Sequence, residues 1–147
     1  MLKWFQKKAK QSIGFQDMQY ALHHHFTIIN TLPAHHQDCL ILKTVSIDLE
    51  EKMINDMIDK KIQPSIVIYG MNSSDQTVDT KYQQLTELGF CNVYVYSGGL
   101  FEWLLLQDIF GNNEFPTTKK VVDILKYKGN VLFPSENVKG ISGAISY

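Results

Sequence analysis

The sequence predicts an α/β domain with a mainly parallel sheet, and three observations carry that prediction. The apolar run Ile66-Val67-Ile68-Tyr69 has strand length and strand composition and no helical period. Val78, Tyr82, Leu85 and Leu88 follow it at i, i+4, i+7 and i+10, a helical spacing that Gly89 ends. Asn92-Val93-Tyr94-Val95-Tyr96 then reads as a second strand. Strand, helix and strand in that order make a right-handed βαβ unit. Ligands of such sheets sit where loops leave the carboxyl ends of strands. The loop in that position is Gly70-Met71-Asn72-Ser73-Ser74-Asp75-Gln76, which makes it the candidate functional stretch.

The remaining elements follow in chain order. Residues 1–11 read as a basic arm with Leu2, Trp4 and Phe5 as an apolar end, packing on the domain or on a partner. Lysines beside aromatics also suit a membrane surface, but this stretch is too short to bind one firmly alone. Residues 12–15 read as an edge strand and 17–22 as a short helix. Residues 26–30 form a buried strand rich in β-branched side chains. A surface loop over 33–38 and the segment 39–42 lead to a further short strand at 44–47. Asp48 with Glu51 gives a capping-box-like start to a helix striped by Leu49, Met53, Ile54, Met57 and Ile58. Lys60 and Lys61 close it at its negative end. After the second strand of the βαβ unit, Ser97-Gly98-Gly99 turns the chain into a helix over 100–110. That helix is apolar nearly all round, so it is expected to be covered on more than one side. The compact domain is expected to end at Gly111. Pro116-Thr117-Thr118 signals a short helix running to Tyr127. Residues 129–147 carry Val131, Leu132, Phe133, Ile141 and Ile145 among Gly, Ser and Asn, too apolar for a free tail. The division is thus an arm at 1–11, a domain at 12–111, and a C-terminal helix and extended tail at 112–147, with five strands in all and helices on both faces of the sheet.

Leu88-Gly89-Phe90, the strand 92–96, and Gly98-Gly99-Leu100-Phe101-Glu102-Trp103 together resemble a rhodanese-like domain. In that family the second half has a leucine-glycine-phenylalanine turn, a buried strand, a double glycine and a tryptophan four residues after it. The resemblance covers residues 12–111 and implies a rhodanese-like fold with the 70–76 loop at the carboxyl edge of its central strand. The stretch 99–111, with Glu114 to Thr118 behind it, also resembles small rhodanese-like proteins of protists and large DNA viruses.

The departures from the family bear on function. Active members begin this loop with a nucleophilic cysteine and place an arginine five positions later. Here those positions are Gly70 and Asp75. The related phosphatases have a loop one residue longer, which would set the arginine at Gln76. Without a thiolate neither a persulfide nor a cysteinyl-phosphate can form, and a carboxylate at Asp75 repels an anion instead of clamping it. The family also ends its earlier strand with aspartate-valine-arginine, where this chain has Asn30-Thr31-Leu32.

Composition agrees with that reading. At 147 residues, 44% hydrophobic and 20% charged, the chain has the size and make-up of one ordinary globular domain. A net charge of −1 gives no electrostatic footprint for nucleic acid. All 14 basic residues are lysine, which removes every mechanism that needs a guanidinium clamp in cis. Two cysteines imply a reducing compartment without a disulfide framework. The amino terminus lacks the apolar region of a signal peptide, and no run approaches the ~18 apolar residues of a membrane span. The expected location is the cytoplasm, or a virion if the viral likeness holds.

Other candidate chemistry is weak. His23-His24-His25, with His35 and His36, lacks the convergent spacing of a metal site. Cys39 and Cys91 sit at strand entrances away from the nucleophile position and are expected to be structural. Neither a metal nor a cofactor is expected. Ser73 and Ser74, with the loop N–H groups, could cradle an anion weakly; Asp75 as a cap of the following helix is the alternative. Trp103 could anchor an interface or lie in the helix-to-sheet core.

Three functions remain. The first is a catalytically dead rhodanese-like domain kept as a protein-interaction or structural module, in one form a component of a larger viral assembly, with Trp4, Phe5, Trp103, Leu132 and Phe133 as its interaction residues. The second is a sulfurtransferase or phosphatase-like enzyme using unusual residues. The third is a weak anion or phospho-group reader acting through loop 70–76. The first is favoured because the fold persists while the site is missing.

Overall fold

A computed structural model describes residues 9–133. Four strands, β1 (Ser12–Ile13), β2 (Thr27–Asn30), β3 (Ser65–Tyr69) and β4 (Asn92–Tyr96), form one parallel sheet in the order β1-β4-β3-β2. Four helices, α1 (Phe15–His23), α2 (Ile47–Asp59), α3 (Thr77–Glu87) and α4 (Gly99–Phe110), cover it. The strand pleat sends alternate residues to two cores. Val67, Tyr69 and Tyr96 join Met18 and Leu22 of α1 and Trp103 of α4 on one face. Ile66, Ile68, Val93 and Val95 meet Ile54 of α2 and Val78 and Leu85 of α3 on the other. Strands buried on both faces read as continuous apolar runs, and β3 is one.

The sheet has four strands where the sequence suggests five. The expected strand at 44–47 touches the sheet through a single bridge between Ile28 and Thr44, with Val45 N–H donating to the Ile28 carbonyl at 2.8 Å. Two features cut it short. Lys43 turns the chain at φ 70°, and Ser46 is already the cap of α2, its Oγ accepting from the Asp48 N–H at 3.3 Å. Ser46 therefore takes the capping role that the spacing of Asp48 and Glu51 suggests.

The expected helix after Pro116 is replaced by extended pairing. The Leu42 N–H donates to the Pro116 carbonyl at 3.0 Å, the Thr118 N–H to the Leu40 carbonyl at 2.8 Å, and Ile41 bridges Thr117. Only the 3-10 turn Ile124–Tyr127 remains helical there. The core continues past Gly111: Phe115 and Tyr127 are both buried in it, and Ile124 packs at its edge. Together these residues form part of the second cover anticipated for α4. Even so, Ile109 and Phe110 of that helix stay 70% and 61% exposed.

Of the two places the sequence offered Trp103, an interface or the helix-to-sheet core, it takes the second: it is fully buried, and its Nε1 donates to the Pro116 carbonyl at 3.1 Å. Leu132 and Phe133 are 85% and 71% exposed. Trp4, Phe5 and the tail beyond Phe133 lie outside the described residues. Within those residues, no helix is long and apolar enough to cross a membrane.

Candidate functional site

Loop 70–76 leaves the carboxyl end of β3 and enters α3, as the βαβ reading requires. It is anchored on one side by the start of α4. The Leu100 N–H donates to the Gly70 carbonyl and the Phe101 N–H to the Met71 carbonyl, each at 2.9 Å. So close an approach needs Gly99, at φ +68°: a Cβ there would lie 2.9 Å from both the Asn72 N and the Gly70 O. The sequence shows the double glycine but not its target.

Asp75 organises the interior of the loop. Its Oδ2 accepts from the Met71 N–H at 2.9 Å, and its Oδ1 accepts from the Thr77 N–H at 3.0 Å and the Thr77 hydroxyl at 2.6 Å. The cap residue of α3 by backbone geometry is Gln76, so Asp75 caps the helix from one position earlier. Asn72 does similar work. Its Oδ1 accepts from the Ser74 N–H at 2.9 Å, its carbonyl accepts from the Asp75 N–H at 3.2 Å, and its Nδ2 donates to the Tyr127 carbonyl at 2.9 Å. The loop amides of Met71, Ser74, Asp75 and Thr77 thus point at the chain's own oxygens.

The first position of the loop is closed as well. A Cβ on Gly70 would fall 2.5 Å from Asp75 Oδ2 and 2.7 Å from Val78 Cγ2. Asp75 therefore fills the space into which any side chain at position 70 would project. A carboxylate held by the Met71 and Thr77 N–H groups repels an anion brought close to it.

Above the loop lies an open cleft of about 600 Å³, walled by Thr31, Pro33, Met71, Asn72, Ser74 and Asn130 among others. Ser74 and Gln76, which line it, are exposed, and so is Ser73 in the same loop. Thr31 and Thr77, which also line it, are joined hydroxyl to hydroxyl at 2.9 Å. Sequence reasoning missed Thr31, Thr77, Tyr127 and Asn130. Thr31 lies within the departure at 30–32, but the other three carry no motif.

The remaining titratable groups lie elsewhere. Cys39 is fully buried, and burial pushes its thiol up, away from the reactive thiolate; its Sγ donates to the Lys119 carbonyl at 3.2 Å. Cys91 is exposed just before β4, at the sheet edge opposite the loop. Burial raises the Tyr69 hydroxyl, which accepts from the Ile41 N–H at 3.0 Å. Burial, with Glu102 beside it, raises the Tyr96 hydroxyl, which donates to Glu102 Oε1 at 2.6 Å. The histidines are spread over the end of α1 and a 3-10 turn at Ala34–His36. Among the described residues, no group of three or more His, Cys, Asp or Glu is placed to hold a metal ion.

No protein-family model matches the sequence, and no curated protein matches it. Solved structures do. The rhodanese-like domain of the Alr3790 protein from Anabaena sp. matches at 19% identity and TM-score 0.52, covering 86% of this chain and 91% of that one. Ygr203w, a yeast protein tyrosine phosphatase of the rhodanese family, matches at 13% identity and TM-score 0.56, covering 80% and 99%. The BH2092 protein of Bacillus halodurans matches at 18% identity and TM-score 0.52, covering 69% and 76%. At these identities the likeness concerns the fold, and the fold is rhodanese-like: a parallel sheet with helices on both faces.

Proposed function

We propose that this chain is a non-catalytic rhodanese-like domain, a pseudoenzyme that serves as a protein-interaction or structural module. One observation carries the reading. The Asp75 carboxylate fills the volume beside Gly70 and accepts the Met71 and Thr77 N–H groups, so the loop binds its own anion. The absence of arginine from the sequence supports it, because no guanidinium is available in cis to hold a transferring group. The buried Cys39 and the distant Cys91 offer no substitute nucleophile at the loop. The same carboxylate weighs against the anion-reader alternative. The setting proposed is the cytoplasm, with a viral particle as the larger assembly if the likeness to viral rhodanese-like proteins is real.

The test is turnover. Purified full-length protein is expected to transfer sulfur from thiosulfate to cyanide, and to hydrolyse an aryl phosphate, no faster than buffer. Turnover well above buffer that disappears in Cys39→Ser or Cys91→Ser would overturn the reading in favour of an enzyme with unusual residues.

A further inference from the structure

The cleft over loop 70–76 is one end of a longer trench. A second depression of about 550 Å³ lies between α2 and α3, and Thr31 and Thr77 line both. The trench therefore runs from Asn130 over the carboxyl ends of β2 and β3 and into the groove between α2 and α3 as far as Gln84. Its lining is apolar in patches, at Leu32, Pro33, Ile47 and Met71, and offers hydroxyls and amides from Thr80, Gln76 and Gln84. Its charge is one-sided. Lys81, the lysine lining it, is paired with Glu50 at 2.5 Å. Asp75 is turned into the loop, and Glu51 stands exposed on the wall. Any charged group entering meets a net negative surface, so an anionic partner is disfavoured and a cationic one is attracted.

One end of the trench already holds extended backbone. Past the 3-10 turn that ends at Tyr127, whose carbonyl accepts from Asn72 Nδ2, Lys128 is extended at φ −62° and ψ 159° and Asn130 lines the cleft. Asn72, which lines the cleft, thus already holds a backbone carbonyl of the chain, that of Tyr127 at the end of the 3-10 turn, with a side-chain amide of the kind repeated farther along at Gln76 and Gln84.

We infer that this trench is the docking surface for an extended peptide segment of a partner protein, carrying a lysine or arginine whose side chain reaches Glu51. The apolar patches take side chains of the partner, and the lining amides of Asn72, Gln76 and Gln84 take its backbone groups. The inference names the surface behind the interaction role proposed above and rests on that reading, since a catalytic loop would need the same space for substrate.

A display library of random ten-residue peptides, selected on the full-length protein, tests it. Basic residues are expected to be enriched, and a labelled copy of the leading peptide is then titrated against variants. Glu51→Lys is expected to weaken binding by about fivefold or more, and added salt to weaken it further, because both act on an exposed charge pair. Ile109→Ser, on the outer face of α4, is expected to leave it unchanged. Failure to enrich any peptide, enrichment without basic residues, or binding indifferent to Glu51→Lys overturns the inference. Sulfurtransfer and phosphatase assays on the same preparation separate the two readings. Turnover removes the non-catalytic reading whatever the peptides do, and absent peptide binding without turnover removes only the trench.

Discussion

Gly70 and Asp75 share one volume: a Cβ on Gly70 would lie 2.5 Å from Asp75 Oδ2. The two residues are therefore expected to be energetically coupled. Gly70→Ala should cost about 1–3 kcal/mol, the usual range for overpacking a filled site. In an Asp75→Ser background the same change should cost less, because the obstructing carboxylate is gone. Urea denaturation of both singles and the double measures the coupling. Additive costs would mean that the carboxylate does not hold the space. Gly70→Cys alone is expected to restore no sulfur transfer, since the thiol would enter occupied volume beside a negative charge.

Glycines 99 and 89 make a controlled pair. Both have positive φ, at +68° and +103°, but only Gly99 presses on backbone, whereas a Cβ on Gly89 meets nothing within 4 Å. Gly89→Ala should cost about 1–2 kcal/mol, the penalty of a left-handed conformation. Gly99→Ala adds a clash with the Asn72 N and the Gly70 O and should cost about 3 kcal/mol or more, with overpacking added to that penalty. Thermal melts of the two variants check the order. Equal losses would mean that the start of α4 does not clamp loop 70–76.

The sheet-and-helix frame was legible because burial on both faces leaves unbroken apolar runs such as 66–69, and amphipathic spacing marks α2 and α3. What failed was decided by contacts between residues far apart. The segment 39–47 has strand composition, yet the Ile41 N–H goes to the Tyr69 hydroxyl and the Leu42 N–H to the Pro116 carbonyl. Pro116-Thr117-Thr118 has a helix-start pattern, but Leu40 offered its carbonyl first. The loss of the cysteine and arginine positions could be read from Gly70 and Asp75. The inward turn of Asp75 could not, because it depends on the Met71 N–H four residues back and on the empty Cβ position of Gly70.

Tyr127 gives a pH-dependent prediction. Its side chain is fully buried, its hydroxyl finds no partner among the described residues, and burial pushes its pKa up to about 12. A group whose pKa is higher folded than unfolded holds more protons in the folded state between the two values. The stability it contributes is complete below the unfolded value of about 10 and is lost as pH rises toward 12. Tyr69 and Tyr96 are shifted in the same direction. Stability should therefore fall with rising pH above about 10, and Tyr127→Phe should flatten that fall. At neutral pH Tyr127→Phe should cost nothing and could gain about 1 kcal/mol, because it removes an unpaired buried hydroxyl. A loss beyond about 1 kcal/mol, on the scale of a net hydrogen bond, would show that the hydroxyl is bonded.

The carboxyl-terminal boundary decides what may be removed from this protein. The extent of the family resemblance sets it at Gly111, but the segment beyond that point is tied into the interior at several places. Trp103 Nε1 donates to the Pro116 carbonyl at 3.1 Å, Gln107 Nε2 to the Phe115 carbonyl at 2.8 Å, and Asn72 Nδ2 to the Tyr127 carbonyl at 2.9 Å. The Phe115 ring meets Trp103 edge-on at 5.0 Å, and Tyr127 has no exposed surface. Burying Phe115 and Tyr127 contributes about 1.5–3 kcal/mol each, and removing them would also leave Trp103 facing water. Set against a total of about 5–15 kcal/mol for a domain, that loss is a large share. Truncation after Gly111 is therefore expected to give a chain without a cooperative melt. Truncation after Asn130 removes the exposed Val131, Leu132 and Phe133 and all that follows, and should leave the melting temperature within a few degrees of the full chain. Circular dichroism melts of the two proteins distinguish the cases. A cooperative melt from the shorter chain would place the end of the folding unit at Gly111, with the 112–127 segment as an accessory to it.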